Sequence, residues 1–333
     1  MTAPEPSSGP VELSVVVPVY GSEDTLKPLY ERIAQTLQNR GTSYEVVFVD
    51  DDSRDGSWSV LQALKARHPG SIVLVRLTRN FGQHNALMCG FHHAQGRLIL
   101  TMDDDLQNPP EEIPKLLDAL ERGDHDVIYG TPRRSRQNGL RRGGSALVRW
   151  FYRKVFRSAV DISSFRLISA EIMPGILRYD LNFTFLDGLL AWHTQRIGSV
   201  AVDHMPRAQG SSRYSVAKLV TLALNLFTNF SLGPLQAISI MGMISACLGI
   251  AGGLYFLVMR LAGGIAVPGY ASIIVASLIL GGLQLLSLGV IGEYIGRIHM
   301  NLNRKPQFAV RSVEGREAGA ESGPPEAPSG PTA

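Results

Sequence analysis

The sequence predicts an α/β domain with a Rossmann-like, doubly wound sheet, followed by two helices that are long and apolar enough to cross a membrane. From Leu13 to about Tyr129, short apolar runs alternate with longer amphipathic ones, as in a parallel sheet covered by helices. Residues 235–259 and 271–291 contain no charged residue. The 333 residues suffice for one large domain with such an appendage.

The apolar runs predict five strands, and the amphipathic runs between them predict four helices. The strands are "LSVVVPVY" (13–20), "YEVVFVD" (44–50), "SIVLVRL" (71–77), "RLILTMD" (97–103) and "DVIYG" (126–130). The helices are expected at 24–39, 57–67, 83–94 and 111–121. In such sheets, ligands bind beyond the carboxyl ends of the strands, so the functional residues are expected there.

The two charge-free runs predict transmembrane helices at 235–259 and 271–295, because a hydrocarbon core needs roughly 20 apolar residues. The alternative is a pair of buried core helices. The flanking basic residues are Arg213, Lys218, Arg297, Arg304 and Lys305. By the positive-inside rule, both flanks are cytoplasmic, which predicts a multi-pass inner-membrane protein with its α/β domain in the cytoplasm.

The segments outside the α/β domain (13–214) are expected to differ in structure. Residues 215–232 have leucines at helical spacing, which predicts an amphipathic helix in the membrane interface, or else a core helix. Residues 1–12 are expected to be a flexible N-terminus without a signal peptide. A basic cytoplasmic segment is expected at 296–310, and a Gly- and Pro-rich disordered tail at 311–333.

Composition limits the possible partners only weakly. The formal net charge is +3, and the two cysteines, Cys89 and Cys247, lie far apart in apolar surroundings. Neither a disulfide nor a zinc site is therefore expected, and a reducing compartment is compatible with the sequence.

The run "TMDDDLQNPPEE" (101–112) places three carboxylates directly behind an apolar strand. Alternation along a strand would put Asp103 and Asp105 on one side and Asp104 on the other. Two hard oxygen ligands on one face suit Mg²⁺ or Mn²⁺, particularly an ion that phosphate oxygens also bind, and Gln107 could add its amide oxygen. The alternative is capping of the following helix, but capping needs one carboxylate rather than three.

A second acidic run, "FVDDDSRDGS" (48–57), also follows a strand. Asp51 is in a position to accept hydrogen bonds from a base or ribose. Ser53 and Asp55 also fit a simple turn and helix cap.

The stretch 131–160 contains many Arg and Lys residues and no acid. Arginines suit phosphate recognition, and a basic stripe mixed with aromatic residues suits an anionic membrane surface. The alternatives are a solvated loop over Arg133–Arg142 and a nucleic-acid site. No nucleic-acid partner is expected, because no recognised reading module accompanies the stretch.

Together these motifs resemble family 2 glycosyltransferases with a GT-A fold. The resemblance is carried by "VVVPVYGSEDTL" (15–26), "VVFVDDDSRDGS" (46–57), "TRNFGQHNALMCGF" (78–91) and "LTMDDDLQNPPE" (100–111). It continues through "SFRLIS" (164–169) and "PRAQGSSRYS" (206–215), and covers about residues 13–305. It is strongest to the polyprenyl-phosphate branch, which is similar to dolichyl-phosphate mannose synthase, in the bacterial form with a C-terminal transmembrane hairpin.

The resemblance implies four groups of functional residues. The nucleotide-sugar pocket would be lined by Pro18, Tyr20, Glu23, Asp51 and Asp104. A Mg²⁺ or Mn²⁺ ion on the diphosphate would be held by Asp103, Asp105 and Gln107. The acceptor phosphate would be bound by Arg133, Arg166 and Arg207. The catalytic group would comprise Asp103, Asp105, Asp161 and Arg166.

Two positions depart from the family's pattern. The nucleotide motif lacks the Gly that is more usual before Ser53. The acceptor motif commonly reads Asp-x-Gly-Asp-Phe-Arg, whereas "DISSFR" keeps Asp161, Phe165 and Arg166 but has Ser164 in place of the second Asp. Any role of that Asp as a base cannot be transferred. A phosphate monoester, with a second pKa of about 6, is already largely an anion at neutral pH and needs no base.

The implied activity is inverting transfer of a sugar from a UDP- or GDP-sugar to a polyprenyl phosphate such as undecaprenyl phosphate, by a homodimer or homotetramer. Three alternatives stay open. A processive polysaccharide synthase would carry Gln-x-x-Arg-Trp, but "ALVRW" (146–150) has Ala146 instead of Gln. A diacylglycerol glycosyltransferase would need a base such as Asp161 or Asp187. A non-catalytic nucleotide-sugar scaffold would not need the intact metal motif.

Overall fold

The computed structural model describes residues 10–133, 162–181, 184–205, 233–262, 269–302 and 306–315. Eight strands in these residues form one sheet. They are β1 (Leu13–Val19), β2 (Tyr44–Asp50), β3 (Ile72–Leu77), β4 (Leu98–Thr101), β5 (Val127–Pro132), β6 (Arg166–Ser169), β7 (Ile197–Val202) and β8 (Val310–Glu314).

The α-helices of the described residues cover the sheet or follow it along the chain. They are α1 (Glu23–Arg40), α2 (Ser57–Arg67), α3 (Gln83–His93), α4 (Ile113–Arg122), α5 (Met173–Ile176), α6 (Leu186–His193), α7 (Gly233–Leu261) and α8 (Tyr270–Leu302). The predicted five strands and four helices correspond to β1–β5 and α1–α4, with ends that differ by a few residues.

The sheet order is β7-β5-β6-β4-β1-β2-β3-β8. Strands β3, β2, β1 and β4 run parallel to one another, with β1 between β2 and β4. The strand order therefore reverses at β1, which opens a crevice beyond the carboxyl ends of β1 and β4. This arrangement confirms the Rossmann-like prediction and places the crevice where the acidic runs end.

The sequence predicts a parallel sheet, whereas the observed sheet is mixed. Strand β6 runs antiparallel to both β4 and β5, and β8 runs antiparallel to β3. Parallel neighbours are joined by a helical crossover that shows in the sequence, but antiparallel neighbours need none. The short motif that contains β6 therefore does not indicate the direction of the strand.

The apolar residues of β1 pack alternately into two layers. Val15 and Val17 face the layer that contains α1, α2 and α4, whereas Val16 faces the layer that contains α3 and α6. All three valines are fully buried, as expected for a strand covered on both faces. Helix α3 lies close to β1 at Gly90, where a Cβ atom would come within 2.3 Å of a Val16 methyl group.

Helix α7 contains the first predicted transmembrane run, 235–259, and helix α8 contains the second, 271–295. Within the described residues, one window, Ile279–Gly296 in α8, has the length and apolar composition to cross a membrane, and none of it is buried. The apolar stretch Ile238–Gly252 in α7 is shorter. The predicted interfacial helix at 215–232 lies outside the described residues.

The expected flexible N-terminus and the expected disordered C-terminal tail each contain ordered residues. Residues 311–314 of the expected C-terminal tail belong to β8, which pairs with β3. Arg311 Nη2 donates to the carbonyl oxygen of Thr78 at 2.9 Å, which fixes the strand to the loop after β3. At the N-terminus, the Glu12 amide donates to the carbonyl oxygen of Ser43 at 3.1 Å. Composition underestimated this order, because backbone pairing on a sheet edge needs few large apolar side chains.

Candidate active site

A cleft of about 210 Å³ opens at the carboxyl ends of β1, β2 and β4. Its lining combines the end of β1, the acid after β2, the loop before α3 and the acidic run after β4. The lining residues are Pro18, Val19, Tyr20, Asp51, Asn80, Gly82, Gln83, Asp103, Asp104 and Asp105. The parallel strands thus bring together residues that are up to 87 positions apart, from Pro18 to Asp105.

Asp104 fixes the turn that follows β1. Its Oδ2 accepts hydrogen bonds from the Tyr20 amide at 3.1 Å and from Ser22 Oγ at 2.5 Å. Burial, with a smaller contribution from the nearby Asp103 and Asp105 carboxylates, raises the pKa of Asp104 to about 6, although these hydrogen bonds oppose the shift. Asp104 lines the cleft, where the resemblance places it, together with its two neighbours, from which strand alternation would have separated it.

The reason is that β4 ends at Thr101, before the acidic run begins. Strand alternation does not extend into the turn that follows, where Leu106 has a positive φ of 60°. All three acidic residues of the run thereby line one cleft.

Asp103 is held from two sides. Gln83 Nε2 donates to its Oδ1 at 2.6 Å, and Ser164 Oγ donates to its Oδ2 at 2.6 Å. The Gln83 side chain comes from the first turn of α3, and Ser164 lies just before β6. Neither contact is evident from the sequence, because both residues are distant from Asp103 along the chain.

The Gln107 backbone contacts the Asp105 side chain. The Gln107 amide donates to Asp105 Oδ1 at 3.1 Å, and the Gln107 carbonyl oxygen accepts from the Met205 amide at 2.9 Å. Gln107 is not among the residues that line the cleft. Its predicted place among the metal ligands therefore remains a prediction, whereas Asp103 and Asp105 share the cleft.

The donor set fits a divalent cation that a substrate helps to hold. The described residues contain no group of three or more His, Cys, Asp or Glu side chains that could hold a metal ion by themselves. Mg²⁺ is usually bound by one or two carboxylates together with substrate phosphates and water. The carboxylates of Asp103 and Asp105, beside an open cleft, match a site in which substrate phosphates complete the coordination of the ion.

Asp51 is buried and orders the loop between β3 and α3. Its two carboxylate oxygens accept from the Phe81 amide at 2.6 Å and the Gly82 amide at 2.8 Å. Burial raises the pKa of Asp51, and these two amides oppose that shift. Gly82 has a φ of +89°, which favours glycine. Asp51 thus shapes the cleft wall in addition to lining it.

Glu23 lies at the edge of this arrangement. Its Oε2 accepts from the Gly56 amide at 2.6 Å, which joins the start of α1 to the turn before α2. Glu23 is exposed and is not among the cleft-lining residues, unlike Pro18 and Tyr20.

Arg166 lies in the core, not in the cleft where an acceptor phosphate was expected to meet it. It is 2% exposed, and its Nη1 pairs with Asp187 Oδ1. Asp187 also accepts from Tyr129 Oη at 2.9 Å. Asp187, named as a possible base for a hydroxyl acceptor, is therefore 4% exposed and engaged by two donors.

The fold and the cleft can be compared with known proteins. Residues 14–172 match the family described as glycosyl transferase family 2. The undecaprenyl-phosphate 4-deoxy-4-formamido-L-arabinose transferase of Edwardsiella ictaluri is 37% identical over 307 residues, which cover 90% of this chain and 94% of that protein. The chain belongs to glycosyltransferase family 2.

Other relatives of this family 2 glycosyltransferase match it over similar lengths. The transferase of the same name from Shewanella sediminis is 36% identical over 308 residues, which cover 90% of this chain and 92% of that protein. An uncharacterized glycosyltransferase of Synechocystis is 36% identical over 317 residues, which cover 92% and 97% of the two chains.

Solved structures support the GT-A fold of this glycosyltransferase. Glucosyl-3-phosphoglycerate synthase from Mycobacterium tuberculosis, in complex with Mn²⁺, uridine diphosphate and glucosyl-3-phosphoglycerate, superposes with a TM-score of 0.51. The two chains are 17% identical, and the match covers 66% of this chain and 80% of the synthase. The predicted fold class and enzyme class are thus confirmed.

Of the predicted acceptor-side residues of this glycosyltransferase that the structure describes, Arg133 and Arg166 are not among those that line the cleft. Asp161 and Arg207 lie outside the described residues. Arg133 is exposed just after β5, with its Nε 3.8 Å from Asp203 Oδ1. The residues that sequence reasoning missed are Gln83 and Ser164, which contact Asp103, and Asn80, which lines the cleft.

Proposed function

We propose that this glycosyltransferase transfers a sugar from a UDP- or GDP-sugar to a polyprenyl phosphate, with undecaprenyl phosphate as the natural acceptor. The reaction takes place on the cytoplasmic face of the inner membrane and inverts the anomeric centre. The observation that carries the proposal is the shared cleft: Tyr20 and Asp51, at the ends of β1 and β2, face the same space as Asp103 and Asp105 after β4.

The cleft supports the donor half of this proposal. Tyr20 and Asp51 lie where a Rossmann-like fold binds a nucleotide, beyond the carboxyl ends of its strands. Asp103 and Asp105 lie beside them and would hold a Mg²⁺ or Mn²⁺ ion against the diphosphate, with Gln107 as a further proposed ligand. When bound, the cation neutralises the negative charge that develops on the leaving nucleoside diphosphate.

The acceptor half rests on the chemistry of a phosphate nucleophile. An oxygen of the acceptor phosphate attacks the anomeric carbon of the sugar, and the bond from that carbon to the nucleoside diphosphate breaks. The attacking oxygen is already an anion at neutral pH, so no base has to remove a proton. This agrees with Ser164 at the motif position where the family commonly has Asp, and with the engagement of Asp187 by Arg166.

The relatives support this acceptor. The proteins from Edwardsiella ictaluri and Shewanella sediminis are both named undecaprenyl-phosphate sugar transferases, and both match about nine-tenths of this chain. The exposed apolar window Ile279–Gly296 of α8 would place the enzyme at the membrane that contains such a lipid. We further propose that Arg133 and Arg207 attract the acceptor phosphate, that the hairpin crosses the membrane twice and that the protein is a homodimer or homotetramer.

A choice between acceptors tests this function. The full chain, in membranes with Mg²⁺ or Mn²⁺, is given radiolabelled nucleotide-sugars together with undecaprenyl phosphate, undecaprenol or diacylglycerol. The donor panel includes UDP- and GDP-hexoses and nucleotide-linked 4-deoxy-4-formamido-L-arabinose. Of the three acceptors, we expect only undecaprenyl phosphate to give label in the organic phase, because only this acceptor arrives as an anion.

Transfer to diacylglycerol or undecaprenol at a comparable rate would contradict the proposed acceptor. A complete lack of transfer from every donor would contradict the enzymatic proposal. Membranes without the protein serve as the control for endogenous transferases.

A further inference from the structure

We propose that Ser164 and Gln83 are positioning residues that aim the Asp103 carboxylate at the divalent cation. This inference rests on the proposed function, because it concerns the cation of the same cleft. Ser164 Oγ and Gln83 Nε2 each lie 2.6 Å from a different oxygen of Asp103. Two donors on the two oxygens fix the plane of the carboxylate, which a single hydrogen bond would leave free to rotate.

Hydrogen bonding to Ser164 and Gln83 is compatible with Asp103 acting as a metal ligand. An ionised carboxylate offers about four lone-pair sites on its two oxygens, which is more than these two donors use. Both donors are uncharged, so they orient Asp103 without competing electrostatically with a cation.

The backbone that presents the Ser164 hydroxyl is anchored to the sheet. Thr101 Oγ1 donates to the Ser164 carbonyl oxygen at 2.7 Å, which ties the start of β6 to the end of β4. Two residues later, Arg166 pairs with Thr101 in the sheet and is buried against Asp187. The hydroxyl is therefore presented by a strand end rather than by a free loop.

Gln83 connects Asp103 to the other wall of the cleft. It begins α3 directly after Gly82, whose amide donates to Asp51 at 2.8 Å. The same side chain lines the cleft. Gly82 and Gln83 are neighbours along the chain, and they bind Asp51 and Asp103 respectively, across the carboxyl ends of β2 and β4. Partners of this kind, behind a metal ligand, typically change metal affinity by about 10- to 100-fold when they are removed.

The test measures Mn²⁺ binding rather than activity. The full-length protein in detergent, saturated with UDP or GDP, is titrated with Mn²⁺, and free Mn²⁺ is followed by electron paramagnetic resonance. We expect Ser164→Ala to raise the Kd for Mn²⁺ about 10-fold, and Ser164→Thr, which keeps the hydroxyl, to restore most of the affinity. Ser163→Ala is the matched control, since Ser163 Oγ accepts from the Phe165 amide at 3.2 Å in the same segment.

An unchanged Kd for Mn²⁺ in Ser164→Ala would overturn this inference and leave the proposed transfer reaction intact. A lower melting temperature with an unchanged Kd would assign Ser164 a purely structural role and would overturn it as well. If the wild-type protein transfers sugar but binds no Mn²⁺ or Mg²⁺, this inference and the metal part of the proposed function both fail. If Mn²⁺ binding by the wild type and the variants is as expected but the wild-type protein transfers no sugar, the proposed function alone is contradicted.

Discussion

Replacing Asp105 by alanine is expected to lower the rate of sugar transfer by about 100-fold or more, while the protein still folds. Asp105 lines the cleft beside Asp103, and its removal leaves one carboxylate to hold the cation. Weaker stabilisation of the charge on the leaving diphosphate raises the barrier of the chemical step, where one such interaction is worth roughly 10²- to 10³-fold. The measurement is the initial rate at saturating donor and acceptor over a range of Mn²⁺ concentrations.

Asp124→Ala is the matched control for this variant. Asp124 has a side chain that is 86% exposed and pairs with Arg196, away from the cleft. We expect this variant to retain nearly the wild-type rate and melting temperature. Full transfer by Asp105→Ala at every Mn²⁺ concentration would show that Asp105 does not hold the cation.

Replacing Asp187 by alanine is expected to destabilise the protein by about 3–5 kcal/mol, because it leaves the buried Arg166 guanidinium without its counter-charge. The two side chains are 2% and 5% exposed. Tyr129 Oη, which donates to Asp187 at 2.9 Å, also loses its acceptor. Thermal unfolding of the detergent-solubilised protein should show a melting temperature that falls by roughly 10 °C.

Removal of both charges shows whether the instability of Asp187→Ala comes from an uncompensated buried charge or from lost packing contacts. The double variant Arg166→Met, Asp187→Leu should recover much of the stability, because apolar residues of similar size often replace a buried ion pair without loss. The exposed pair Lys27–Glu31 serves as the control, with Glu31→Ala expected to cost at most about 1 kcal/mol. A melting temperature of Asp187→Ala within 2 °C of the wild type would contradict the proposed role of the pair.

The part of the fold that could be predicted from sequence is the part with regular patterns. Strands β1 to β5 are apolar runs that stay buried on both faces, and the helices between them repeat at helical spacing. Strand β8 could not be predicted, because three of the five residues in "VRSVE" are charged or polar and its order comes from backbone pairing with β3. The direction of β6 likewise depends on contacts with β4 and β5 that are distant along the chain.

The candidate site shows the same division. Asp51, Asp103 and Asp105 were predicted because carboxylates directly after buried strands stand out in a sequence. Strand alternation does not apply to Asp104, because β4 ends at Thr101, but Asp104 lines the cleft where the nucleotide-sugar pocket was expected. Ser164 and Gln83 were missed because their importance lies in single hydrogen bonds to Asp103 across the fold.

Arg166 illustrates the limit of reasoning from motifs. Its place in "SFRLIS" suggested an arginine that faces a phosphate, whereas its guanidinium is buried against Asp187 and lies 5.9 Å from the Tyr129 ring centroid. A motif records which residue is present, but its burial depends on the packing of α6 and β5 around it.

The position of Mn²⁺ tests the central claim most directly. Crystals of the full-length protein grown with Mn²⁺ and UDP or GDP would show the ion by its anomalous scattering. We predict one Mn²⁺ coordinated by Asp103 and Asp105 and by the diphosphate, with the nucleoside beside Tyr20 and Asp51. A nucleoside diphosphate bound in the cleft without a metal, or a Mn²⁺ ion away from both carboxylates, would contradict the proposed site.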